Sequence, residues 1–134
     1  MADHASLFIE TPPLAGCKIL VVEDEYLIAD DLAALLREEG ADVLGPATSL
    51  PTAMRLAGDS DRIDGAILNI DLRGVAVFPL ADELQSRGVP FIFLTGYAES
   101  NIPGEYAGIL RCEKPVGAAH VVGHLKPLLR SVSA

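Results

Sequence analysis

The chain has 134 residues, half of them hydrophobic and 22% charged, which is the size of one domain and enough apolar material for a real core. Ten basic residues against nineteen acidic ones leave a net charge of -9, which disfavours a nucleic-acid partner, since that would call for a basic stripe. No apolar run approaches the ~18 residues of a membrane span, and the N-terminus lacks the basic and apolar regions of a secretory signal. Two cysteines, Cys17 and Cys112, are too few for a disulfide framework or a zinc site. The expectation is a cytoplasmic protein with no nucleic-acid and no membrane partner.

Residues 1–16, with Pro12-Pro13, read as a flexible leader. Lys18 to Val22 (KILVV) is a short β-branched run of the kind buried on both faces of a parallel sheet. Tyr26 to Glu39 repeats at helical spacing through Ile28, Leu32, Leu35 and Leu36, with Gly40 as its stop. Asp42 to Leu44 is a weaker strand, and Ser49 is placed to cap a short helix over Thr52 to Ala57. Gly65 to Ile70 is a second strong strand, Phe78 to Arg87 a helix closed by Gly88, and Val89 to Thr95 a third strong strand. Between Gly96 and Gly108, Pro103 and Gly104 predict a short or irregular helix. Ile109 to Cys112 is the last strand and Ala118 to Lys126 the last helix, which Pro127 is expected to kink or end.

Strand–helix alternation repeated five times predicts an α/β fold: a doubly wound parallel sheet with helices on both faces. Ligands of such sheets bind outside the carboxyl ends of the strands. The places for chemistry are therefore Glu23-Asp24-Glu25, Asn69-Ile70-Asp71, Thr95-Gly96 and Lys114-Pro115. The first turn carries acid where nucleotide-binding folds carry glycine, and no glycine-rich phosphate loop occurs. Such acids either cap the helix that follows or hold a hard divalent cation such as Mg²⁺.

An acid pair, a hydroxyl and a lysine at the ends of separate strands resemble the receiver domain of two-component response regulators. The matching words are ILVVEDE at 19–25, DGAILNIDLRG at 64–74, FLTGY at 93–97 and EKPV at 113–116, in order and at fitting separations. The resemblance runs from Cys17 to near Arg130, so residues 17–130 form the expected domain and 131–134 a tail. It implies a flavodoxin-like, five-stranded sheet of order 2-1-3-4-5 and Mg²⁺-assisted phosphoryl transfer from a histidine kinase to an aspartate. By the same resemblance, Glu23 and Asp24 are the metal-binding pair and Asp71 offers its backbone carbonyl to the metal. Thr95 would hydrogen-bond the phosphoryl group and Lys114 would neutralise it. These roles are electrostatic clamps on a charged group in transfer.

Two positions depart from the pattern. The phosphoacceptor aspartate would stand where this chain has Asn69. A neutral carboxamide has no anionic oxygen to attack phosphorus, and it removes one carboxylate from the Mg²⁺ cage. A natural pseudo-receiver and an Asp-to-Asn variant would behave alike in this respect. Rescue by Asp71 requires the strand to continue past Asn69, because side chains alternate along a strand. The second departure is Arg111, three positions before Lys114, where the family has an aromatic residue that reports activation. It reads as a solvated arginine on an edge strand.

The expected function is a stand-alone, non-enzymatic signalling domain, contacting a histidine kinase, a phosphotransfer protein or a downstream regulator, with a homodimer possible through the last helix. The rivals are a Mg²⁺-dependent phosphotransfer protein using another carboxylate such as Asp71, and a flavodoxin-type ligand module, against which the acidic first turn argues. His120 and His124 lie one helical turn apart and read as surface residues. Tyr97 reads as a residue on the pocket rim. With the strand order that the resemblance implies, Cys17 and Cys112, on the first and fifth strands, would sit roughly 14 Å apart, beyond disulfide reach.

Overall fold

The computed structural model describes residues 12–96 and 102–133. The main sheet consists of β1 (Lys18–Val22), β2 (Asp42–Ala47), β3 (Gly65–Asn69), β4 (Phe91–Thr95) and β5 (Arg111–Glu113). All neighbours pair in parallel and the spatial order is β2-β1-β3-β4-β5. The helices are α1 (Tyr26–Glu38), α2 (Leu50–Gly58), α3 (Phe78–Ser86) and α4 (Ala118–Ser133). A two-residue antiparallel ladder, Asp71–Leu72 with Val75–Ala76, follows β3. The flavodoxin-like topology expected from the sequence is the one observed.

The interiors of the central strands are apolar because both faces are covered, with polar residues only at strand ends (Lys18, Asn69 and Thr95). Ile19, Val21, Ile67, Ile92 and Leu94 meet Leu32, Leu36, Val121, Leu125 and Leu129 of α1 and α4. Leu20, Val22, Ala66, Leu68, Phe91 and Phe93 point the other way, into a second core with Ala53, Ala57, Leu80 and Leu84 of α2 and α3. The two-residue alternation of a strand thus fills two cores from one run of sequence. Each helix contributes one stripe: α1 buries Ala29, Leu32, Ala33 and Leu36 and turns Asp30 and Asp31 outward. Ser49 caps α2, its hydroxyl accepting from the Thr52 N–H, and Gly40 and Gly88 leave α1 and α3 with positive φ.

Several boundaries move for identifiable reasons. β2 runs on to Ala47 rather than ending at Leu44, because a bulge opposite Leu20–Val22 accommodates Gly45-Pro46 on an edge strand. Gly45 has φ +98°, and a Cβ there would lie 2.7 Å from the Ala47 nitrogen and 2.9 Å from the Val21 oxygen, so only glycine fits. Pro127 does not end the last helix. α4 continues to Ser133, so residues 131–133 are helical rather than a tail. Pro127 and Gly123 are both exposed while Leu125 and Leu129 are buried, so the hydrogen bond that proline forfeits faces water and the packing stripe is kept.

The leader also needs correcting where it is described. Leu14 is 2% exposed and packs into the α1–α4 core, and its N–H donates to the Glu39 carbonyl at 2.7 Å. The packed unit therefore starts before Cys17. Cys17 precedes β1, Cys112 lies within β5, and both thiols are free.

Where a fourth crossover helix was uncertain, the described part of the segment is a single 3₁₀ turn, Gly104–Tyr106. Tyr106 is its anchor. The ring stacks on Phe78 at 5.1 Å and meets Phe93 edge-on at 5.8 Å. Its hydroxyl bonds the Asp82 carboxylate and the Phe78 carbonyl. Burial, reinforced by Asp82, raises the phenol above its ordinary value of 10.0. A phenol whose folded pKa is raised binds its proton more tightly when folded, so its stabilisation is present below pH 10 and lost as pH climbs towards the folded value. Tyr106→Phe is expected to lower stability by about 1 kcal/mol near neutral pH. It should also flatten the alkaline loss of stability seen in urea melts; an unchanged alkaline slope would refute this role.

Candidate functional site

The carboxyl ends of β1, β3 and β5 open onto a pocket of about 260 Å³ lined by Asp24, Glu25, Asn69, Asp71, Arg73, Gly96 and Lys114. Glu23 follows β1 directly and is fully buried, its N–H donating to the Ala47 carbonyl at 2.9 Å. The strand carries it inside the sheet, while Asp24 and Glu25 emerge at the turn into α1. Glu25 stands at the N-cap of α1 yet makes no side-chain capping bond. Its N–H donates to Glu23 Oε2 at 2.9 Å and its own carboxylate turns to Lys114. Helix capping is thus not the role of its carboxylate.

Asn69 closes β3 and is 5% exposed. Its amide nitrogen donates to Glu23 Oε2 and to Asp24 Oδ1, both at 3.0 Å. Its amide oxygen accepts from the Asp71 N–H at 3.2 Å. The Asp71 carboxylate accepts from the Gly74 N–H at 2.6 Å through Oδ1 and ties the loop on itself.

Lys114 follows β5, its N–H donating to the Thr95 carbonyl at 2.8 Å. The ammonium reaches Glu23 at 2.8 Å and Glu25 at 2.6 Å. Burial alone would lower the Lys114 pKa, but its bonds to Glu23 and Glu25 outweigh this and raise it above 10.5. For Glu23, burial raises the pKa above 4.5 and the bond from Lys114 opposes the rise. Each group favours the charged form of the other.

The sequence-predicted set converges with one exception. Asp24, Asn69, Asp71 and Lys114 line the pocket, and the fully buried Glu23 joins them through its bonds to Asn69 and Lys114. Thr95 ends β4 and is buried, yet it is not among the residues lining the pocket; its register places it beside Glu113. Tyr97 lies outside the described residues. Arg73 was missed. It has φ +55°, an uncommon conformation for a side-chain-bearing residue, and its guanidinium lies 3.8 Å from Asp24. The only sequence signal for it was the turn-forming glycine after it. Arg111 is exposed on the edge strand, as expected.

The donor set can be tested against Mg²⁺. Carboxylate oxygens of Glu23, Asp24 and Glu25 lie within 4.8 Å of one another, a hard-oxygen cluster able to hold a divalent cation. Asn69 presents its NH₂ edge to that cluster instead of an oxygen. His120 and His124 stand on the exposed face of α4 with ring nitrogens 3.2 Å apart, and the converging ligand group among the described residues is the acidic one.

Among the described residues, no helix is long and apolar enough to cross a membrane. No protein-family model matches the chain. Curated relatives do. The phyllosphere-induced regulator PhyR of Methylorubrum extorquens is 37% identical over 90 residues, 66% of this chain and 34% of PhyR. The transcriptional regulatory protein PdtaR of Mycobacterium tuberculosis is 31% identical over 86 residues, 63% of this chain and 42% of PdtaR. The chain thus spans well under half the length of these curated relatives. Among solved structures, SdrG from Sphingomonas melonis Fr1 superposes with a TM-score of 0.73 at 30% identity, over 85% of this chain and 96% of SdrG. With the parallel five-stranded sheet and the acid, asparagine and lysine at its strand ends, this match along nearly all of SdrG places the chain in the receiver-domain family of response regulators.

Proposed function

We propose that this receiver domain signals through protein–protein contact and is not phosphorylated at position 69. The observation that carries the reading is the carboxamide of Asn69 at the end of β3, bonded to both Glu23 and Asp24 where a nucleophilic carboxylate would stand. Nothing at that position can form an acyl phosphate. Lys114, the group suited to neutralise a phosphoryl oxygen, is held by Glu23 and Glu25. The Asp71 carboxylate is bonded to the Gly74 N–H rather than to Lys114, which disfavours it as a substitute acceptor. The domain is then a non-enzymatic, cytoplasmic module whose state is set by the partner it meets. That partner is a histidine kinase, a phosphotransfer protein or a downstream regulator, and Mg²⁺ binding is weakened by the missing carboxylate.

Incubation with acetyl phosphate and Mg²⁺, followed by intact-mass measurement, tests the reading. The unmodified chain is expected to gain no phosphoryl mass, whereas Asn69→Asp is expected to gain one. A phosphoryl group on the unmodified chain, mapped by peptide analysis to Asp71 or another carboxylate, would overturn it.

A further inference from the structure

The buried end of β1 sets a physical problem that every chain with this pocket must solve. Glu23 is fully buried, and Asp24 and Glu25 lie beside it. Three carboxylates this close repel one another unless something positive or hydrogen-donating stands between them. Lys114 accounts for Glu23 and Glu25, and Arg73 stands near Asp24 at 3.8 Å. Counted over this cluster alone, three negative and two positive charges leave one formal charge unmatched.

The remaining oxygens face Asn69. Its two amide hydrogens go one to Glu23 and one to Asp24, bridging the pair from a single nitrogen at 3.0 Å to each. The amide cannot profitably turn over. Its oxygen is held by the Asp71 N–H at 3.2 Å, and a flip would set that N–H against the NH₂ while pointing the carbonyl oxygen at two carboxylates. Neighbouring backbone therefore dictates that this residue offers donors to the acids and no ligand to a metal.

Building on the reading of position 69 as unphosphorylated, we propose that the Asn69 carboxamide permanently occupies the role of a bridging cation between Glu23 and Asp24. The pocket of this chain is thereby complete without a divalent ion and indifferent to one. The consequence is regulatory. The Asp71–Gly74 turn and Lys114 are held in one arrangement, independent of magnesium as well as of phosphoryl supply.

Thermal unfolding of the whole chain and two variants, Asn69→Asp and Asn69→Ala, in EDTA or millimolar Mg²⁺ at matched ionic strength, tests this. The unmodified chain is expected to melt at the same temperature in both. Asn69→Asp adds a carboxylate to the cluster, so it should melt lower in EDTA by at least about 4 °C and recover with Mg²⁺. Asn69→Ala removes the donors without adding charge; it too should melt lower in EDTA and gain a response to Mg²⁺. A magnesium-dependent rise in the unmodified chain matching that of Asn69→Asp would overturn the inference. So would variants as stable as the unmodified chain in EDTA. Intact-mass measurement after acetyl phosphate separates the two claims: a magnesium response without a phosphoryl gain refutes the bridging amide alone. A phosphoryl gain refutes the reading beneath it.

Discussion

Lys114→Met is expected to cost about 3–5 kcal/mol near neutral pH, because it strands a fully buried Glu23 carboxylate while keeping most of the lysine's apolar stem. Part of that cost has an escape route. Burial already raises the Glu23 pKa above 4.5, and removing the Lys114 bond removes the main influence that opposes the rise. A carboxyl group whose folded pKa is raised binds its proton more tightly in the folded state than in the unfolded one. The variant's stability should therefore increase as pH falls through that raised value, and the burden should be fullest above it. Urea unfolding of both proteins between about pH 8 and pH 5 would show the gap narrowing on acidification. A gap that stays constant or widens would mean that Glu23 is not the group left stranded. The result matters for function, since the same ammonium would otherwise be available to an incoming phosphoryl oxygen.

Leu14→Ala is the second large effect, with an expected loss of about 2–5 kcal/mol from a side chain only 2% exposed. Leu14 belongs to the same buried cluster as Leu36 and Ala41, and its N–H satisfies the Glu39 carbonyl at the end of α1. The substitution removes buried methyl groups and leaves a cavity, so the urea midpoint should fall with an unchanged slope. A loss under about 0.5 kcal/mol would restore the view that the domain begins at Cys17. The site chemistry should be untouched, because Leu14 lies at the opposite end of β1 from Glu23. The two substitutions therefore probe different links: one the charge balance of the pocket, the other the extent of the packed unit.

Two of the three boundary errors share a cause. Leu14 sits between Pro13 and Ala15-Gly16, a local setting that reads as loop, and only the floor of the α1–α4 core reveals why it is buried. Pro127 reads as a helix stop, yet buried Leu125 and Leu129 on either side keep α4 on the sheet while the lost bond faces water. Gly45-Pro46 reads as a strand end, and a bulge on the edge strand absorbs it. Local propensity is a weak prior, and burial overrode it in the first two cases.

The excess of nine acids over basic residues is a fact of composition and says nothing of location. By itself the sequence determined the fold class, because apolar runs of strand length alternating with helical stripes admit few topologies besides a parallel sheet. It also pointed to the carboxyl ends of the strands, where the side chains of Glu23, Asp24, Asn69 and Lys114 come together. Only the tertiary structure decided what the Asn69 amide does. Its bonds join residues 46 and 45 positions apart, its orientation is set by a backbone N–H two residues on, and one of the two partners of Lys114 lies 89 residues away in Glu25. Distances of that kind follow from how the strand ends pack side by side, which no local pattern encodes.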